Sequence, residues 1–154
     1  MDLLRISWNA VIEYCEDLAE KSKEFKPDII IGISRGGLVP ARILSDILAV
    51  KKIGIVGVAF YKSAGETSEH PEIIQELSMD VKGKRILLVD DVADTGKSLV
   101  AAKKYLEEKE AGEIRTATIH FKPQSTFKPD YYVGTTTAWI VYPWERHEVE
   151  RDLS

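Results

Sequence analysis

The chain has 154 residues, is 44% hydrophobic and 30% charged, and carries a formal net charge of −4. That length fits one domain with one sizeable core, and the acidic balance, with a pI of about 5.5, argues against a general nucleic-acid binder, which shows a basic face and a high pI. No stretch approaches the ~18 apolar residues of a membrane span, the N-terminus MDLLRISWNA lacks the apolar run of a signal peptide, and a lone Cys15 excludes an intramolecular disulfide and suits the reducing cytoplasm.

Taken in chain order, Ser7 is placed to cap a helix over 8 to about 25, with Val11, Tyr14, Cys15, Leu18 and Ala19 as its apolar stripe. Cys15 on that stripe reads as a packing residue. Residues 28–33 (DIIIGI) form a short β-branched run, expected as a buried strand. The turn SRGG follows, then a helix over 38–50 and a second strand over 53–60. Residues 61–78 are polar and broken by Gly65 and Pro71, so a long loop is expected there. KRILLV at 84–89 predicts another buried strand, 90–96 a loop, and 98–111 a helix stopped by Gly112. Strands are expected at 115–121 and 131–133, before an end rich in Trp and Tyr.

Strands alternating with helices predict an α/β fold: an open, mostly parallel sheet with helices on both faces. Such sheets bind ligands at the carboxyl ends of their strands. Three segments leave strand ends with reactive side chains: SRGG, DDVADTGKS and HFKPQ.

The densest of these is VDDVADTGKSL at 89–99. Thr95, Gly96, Lys97 and Ser98 fall at a helix start, where unpaired N–H groups and the positive dipole end favour an anion. Gly96 permits close backbone approach, and the two hydroxyls add donors, so a phosphate monoester fits. GKS does not make a nucleotide-triphosphate P-loop, because the glycine required five residues before Gly96 is Asp91. An EF-hand fails for lack of alternating acids and a closing Glu. Asp90 and Asp91 beside a phosphate cradle can accept hydrogen bonds from a vicinal diol or hold a hard divalent ion. Asp94 either caps the helix or exchanges a proton with a bound base.

The run Asp90, Asp91, Val92, Ala93, Asp94, Thr95, Gly96, Lys97, Ser98 resembles the phosphoribosyl pyrophosphate (PRPP) motif of type I phosphoribosyltransferases. The resemblance implies that Asp90 and Asp91 contact the ribose hydroxyls and help place Mg2+, with Asp91 as metal ligand and Asp90 as its alternate. It implies that Asp94 faces N7 of a purine and that Thr95 to Ser98 cradle the 5′-phosphate. SRGGLVPARIL is similar to the family's pyrophosphate loop, particularly in the bacterial xanthine-guanine branch. Ser34, Arg35 and Gly36 would then hold pyrophosphate, Arg35 in bidentate fashion, with a cis peptide expected between Ser34 and Arg35.

HFKPQ and PDYYVGTTTAWIVYPWE are similar to the C-terminal third of xanthine-guanine enzymes. By that likeness Lys122 donates to a purine 6-oxo group, Trp139 stacks on the ring, and the Ile140 backbone meets the base edge. Trp144 and Pro143 are expected to pack around the pocket. Residues 61–78 take the place of the family's flexible lid, opened by Tyr61 and Lys62, but the short Ser-Tyr signature of many relatives is missing. His70 and His120 lack metal-ligand spacing and are expected to be structural.

The resemblance implies one phosphoribosyltransferase domain over 1–154, with a core at about 26–121, a base-binding hood at about 122–146 and homo-oligomers (dimer or tetramer). The expected partners are PRPP and a 6-oxopurine, with no nucleic acid and no membrane. Two rivals stay open: a PRPP- or nucleotide-sensing regulator on the same fold, and an acceptor other than a 6-oxopurine (adenine, orotate or uracil).

Overall fold

The computed structural model describes residues 2–154. Its main sheet has six strands: β2 (Ile29–Ser34), β3 (Ile53–Tyr61), β4 (His70–Gln75), β5 (Ile86–Ala93), β6 (Ile114–Phe121) and β7 (Tyr131–Thr135), in the order β4-β3-β2-β5-β6-β7. All pairings are parallel except β3 with β4. Helices α1 (Trp8–Ser22) and α2 (Leu38–Ile47) cover one face and α3 (Lys97–Glu108) the other. One cluster joins Leu18, Ala41 and Leu44 to Ile30, Leu87 and Val89. The opposite cluster joins Leu99, Ala102 and Leu106 to Ile29, Ile31 and Leu88. Adjacent strand residues thus point to opposite clusters, which is why the central strands read as unbroken apolar runs.

The chain leaves β2 toward β3 and β4, then returns across the sheet to β5 and continues outward to β7. The order therefore reverses between β2 and β5, and a doubly wound sheet opens its ligand crevice at such a switch point. Gly32 of β2 lies in register with Val89 of β5. The SRGG turn and the acid pair thus leave the sheet side by side.

Ser7 caps α1 as expected, its hydroxyl accepting from the Ala10 N–H at 3.1 Å. Cys15 is fully buried, and burial pushes its thiol up to about 12, so it packs rather than reacts. The Ser34–Arg35 peptide is cis, as expected.

Several expectations are corrected. Residues 61–78 are not one loop: His70–Gln75 pairs antiparallel with β3. Ile73, Leu77 and Met79 pack on the core and draw the segment in. Pro71 is tolerated because β4 is an edge strand that needs no N–H there. Asp90 and Asp91 are not in a loop either, since β5 stays paired with β6 as far as Ala93 opposite Phe121. Gly112 does not stop α3; Glu110 takes the left-handed turn at φ 62°. Gly112 instead lets two segments approach: a Cβ there would lie 2.9 Å from the Gly83 backbone.

The C-terminal hood also recruits the N-terminus. β1 (Leu3–Arg5) pairs in parallel with β8 (Trp139–Val141), and α4 (Arg146–Leu153) follows. None of the helices is long and apolar enough to cross a membrane, among the described residues.

Candidate active site

A cleft of about 360 Å³ lies at the switch point, walled by β5 and the start of α3 from Asp90 to Leu99, with Phe60 and Glu69 at its edge. A second cavity of about 420 Å³ adjoins it, between the Ser34–Arg35–Gly36 turn, the same acid pair, and Trp144 of the hood. Asp90, Asp91 and Ser98 border both, so the acid pair stands between the two.

The α3 start turns on Gly96, packed against the segment that follows β6. Gly96 has φ +87°, a conformation side chains resist, and an added Cβ would meet Phe127 Cβ and Ser125 Oγ at 2.7 Å. No side chain of the N-cap residue covers the first turn. The Thr95 carbonyl is anchored by the Thr126 N–H and hydroxyl, each at 3.0 Å. Asp94 does not cap the helix: its Oδ1 accepts from Gln124 Nε2 at 3.1 Å and its Oδ2 lies 3.9 Å from Lys122 Nζ.

The acid pair is held at the strand end. Asp90 Oδ1 accepts the Asp91 N–H at 2.8 Å, and Asp91 Oδ1 accepts the Val92 N–H at 2.7 Å. Asp90 is only 9% exposed. Burial first, then the neighbouring Asp91 charge, pushes its carboxyl well above the usual carboxylate range. Burial raises Asp91 as well, although its hydrogen bonds oppose the shift. The Asp91 carboxylate also lies against the backbone of the SRGG turn, where a Cβ on Gly36 would collide with it. The loop glycine and the acid are therefore fitted to one another.

Two crowded carboxylates are stabilised by a cation. Among the described residues no cluster of three or more His, Cys, Asp or Glu could hold a metal. A pair suits magnesium, which takes one or two carboxylates and draws its other ligands from substrate oxygens and water.

Lys122 follows β6, and its N–H donates to the Ala93 carbonyl at 3.0 Å, tying it to the end of β5. Its side chain is 12% exposed against 55% for Asp94, so the ammonium sits at the inner end of that pair. Trp139 and Ile140 lie on β8, outside the lining of the cleft. Among the described residues β8 pairs with β1 alone, and Ile140 is buried. Tyr61 ends β3 opposite His70 and is exposed, as is Lys62; neither lines the cleft, whereas Phe60 and Glu69 do.

Other contacts escape sequence reasoning. Gln124 lies in the expected HFKPQ segment, so its place after β6 was a usable signal. Glu148 of α4 accepts from Arg35, and Tyr142 bonds to Asp91 through space; no local pattern announces either.

The switch-point crevice, the glycine-marked helix start and the buried acids place one polar site at the carboxyl ends of the strands of an α/β sheet. The phosphoribosyl transferase domain family matches residues 4–150, and the chain belongs to that family. Among curated relatives, the hypoxanthine-guanine phosphoribosyltransferase of Schizosaccharomyces pombe is 32% identical, over 97% of this chain and 93% of the relative. The xanthine-guanine phosphoribosyltransferase of Idiomarina loihiensis is 29% identical over 92% of this chain and 86% of the relative. Among solved structures, a purine phosphoribosyltransferase from Pyrococcus horikoshii superposes with a TM-score of 0.87 at 43% identity, covering 94% of each chain. The fold is thus the type I phosphoribosyltransferase fold.

Proposed function

We propose that the protein transfers the 5-phosphoribosyl group of PRPP to N9 of a 6-oxopurine (guanine, xanthine or hypoxanthine), releasing pyrophosphate, in cytoplasmic purine salvage. The observation that carries this reading is the convergence at one switch point of the Gly96 anion seat, the buried acid pair and the Lys122–Asp94 contact at 3.9 Å. The purine names of the full-length relatives support it.

In this reading Thr95, Gly96, Lys97 and Ser98 bind the 5′-phosphate through helix-start amides and hydroxyls, with Val92 and Ala93 forming the adjoining wall. Asp90 and Asp91 accept hydrogen bonds from the ribose hydroxyls. Ser34, Arg35 and Gly36 grip the pyrophosphate, and Arg35 stabilises the charge that grows on it as the C1–O bond loosens. Asp91, with Asp90 beside it, would hold Mg2+, which supplies charge neutralisation of the pyrophosphate and ribose oxygens.

Lys122 donates to the 6-oxo group. A lysine that offers only donors leaves the adenine amine without an acceptor, which sets base choice. Trp139 stacks on the ring, and the Ile140 backbone meets the base edge. Together they hold N9 toward C1, catalysis by orientation. Asp94 exchanges the N7 proton. The exposed stretch between β3 and β4, from Tyr61 and Lys62 onward, closes over the site and excludes water, which would otherwise compete as acceptor.

The test is to incubate the protein with PRPP, Mg2+ and each base separately, and to follow pyrophosphate. Release is expected with at least one 6-oxopurine and not with adenine, orotate or uracil. Release with none of them would overturn the reading and favour a nucleotide-sensing role.

A further inference from the structure

One aromatic side chain of the hood bonds to Asp91 and a second borders the same cavity. The Tyr142 hydroxyl donates to the Asp91 backbone carbonyl at 3.1 Å. It has one proton, so the 2.7 Å contact with His120 Nδ1 requires the ring to donate, which assigns His120 as the neutral Nδ1–H tautomer. Burial, helped by the Lys122 charge, lowers His120 to about 4 and keeps it neutral. Trp144 stacks on Tyr142 with ring centroids 4.7 Å apart and planes within 8°.

The indole Nε1 of Trp144 is the one buried side-chain polar atom without a hydrogen-bond partner among the described residues. Buried donors are almost always paired, and an orphan calls for an explanation. Trp144 borders the cavity shared by Arg35, Gly36 and Asp91. Asp91 lines that same cavity, and among the described residues its carboxylate accepts a hydrogen bond only at Oδ1, from the Val92 N–H, which leaves Oδ2 as an acceptor without a donor.

We infer that Trp144 and Tyr142 are positioning residues for Asp91: Tyr142 fixes its backbone, and the Trp144 indole N–H closes onto its carboxylate when magnesium and PRPP bind. This rests on the reading of Asp91 given above. One stacked pair then acts on both ends of the same residue. Trp139 and Ile140 precede Tyr142 by three and two positions on one segment, so the strand that meets the purine also sets the acid that meets the ribose.

The experiment measures Mg2+–PRPP binding by titration calorimetry, beside melting temperature, for four proteins. These are the wild type, Tyr142→Phe, Trp144 replaced site-specifically by 3-benzothienylalanine, and Asp91→Asn. The benzothienyl ring keeps the indole shape and lacks only the N–H, so the fold is not at risk. The inference predicts a Kd raised about tenfold by the Trp144 analogue, corresponding to the loss of about 1.4 kcal/mol, with the melting temperature unchanged. It predicts a similar rise for Tyr142→Phe. If Asp91→Asn weakens binding but the analogue stays within twofold of wild type, the Trp144 inference is wrong and the Asp91 reading stands. If Asp91→Asn itself leaves the Kd unchanged, the Asp91 reading is wrong and this inference goes with it.

Discussion

Arg35 donates through Nη2 to both carboxylate oxygens of Glu148, at 3.0 and 3.3 Å. The residue read as the pyrophosphate clamp is thus held by the C-terminal helix, and an arriving pyrophosphate must displace a carboxylate. The pair is exposed, 80% at Arg35 and 42% at Glu148, and exposed ion pairs contribute roughly 0.2–1 kcal/mol.

Glu148→Gln is therefore expected to lower the KM for PRPP by at most roughly fivefold, with kcat little changed. The gain should shrink at high salt, because the wild-type contact is itself screened there. Steady-state kinetics at two ionic strengths check this. A raised KM would mean that Glu148 assists binding instead of competing with it.

Asp90→Asn should separate stability from turnover. A carboxyl whose folded-state pKa is raised stabilises the fold at low pH and loses that contribution as pH rises through the folded value. At pH 7 without magnesium, Asp90 is therefore a burden on the ligand-free fold. The asparagine keeps the oxygen that accepts the Asp91 N–H. The melting temperature should rise, by roughly 2–4 °C per kcal/mol relieved, and the rise should fade toward pH 4. Turnover should fall by at least about a hundredfold. Scanning calorimetry at both pH values decides it; a lower melting temperature at pH 7 would contradict the burial argument.

Lys122→Met should cost roughly a hundredfold in kcat/KM for hypoxanthine, the scale of a lost charged hydrogen bond in a closed site, and narrow the preference against adenine. Removing this charge should also raise the pKa of His120 from about 4, a shift readable by NMR of the ring nitrogens. An unmoved His120 signal would place the ammonium elsewhere.

His120 itself predicts a pH window. Its folded pKa lies near 4 against 6.5 for the free side chain. Its contribution to stability is thus complete above pH 6.5 and lost as pH falls toward 4. Urea midpoints across that range should fall less steeply for His120→Asn, which keeps a donor toward Tyr142, than for the wild type. Equal slopes would show that His120 is not the group responsible.

Much of this arrangement is legible locally. The β5–α3 block announces itself because an apolar strand, two acids and a glycine-marked helix start are contiguous, and each has a short-range physical cause. The central strands are legible because burial on both faces leaves no polar position. β4 and α4 are not: β4 has one core-facing isoleucine amid polar residues, and Val149 is the only buried residue of α4. Tertiary packing, not propensity, fixes both. The contacts of Arg35 with Glu148 and of Asp91 with Tyr142 span 113 and 51 residues and leave no periodic trace. Acid-pair burial is likewise invisible until β6 is seen to run alongside as far as Phe121.

The most direct measurement is the backbone amide NMR spectrum of the protein during titration with guanosine 5′-monophosphate. The account predicts that the largest shifts fall on the amides of Asp94 through Ser98. Saturable binding that leaves those amides in place and moves another site instead, such as the groove at Trp8 and Arg146, would contradict it.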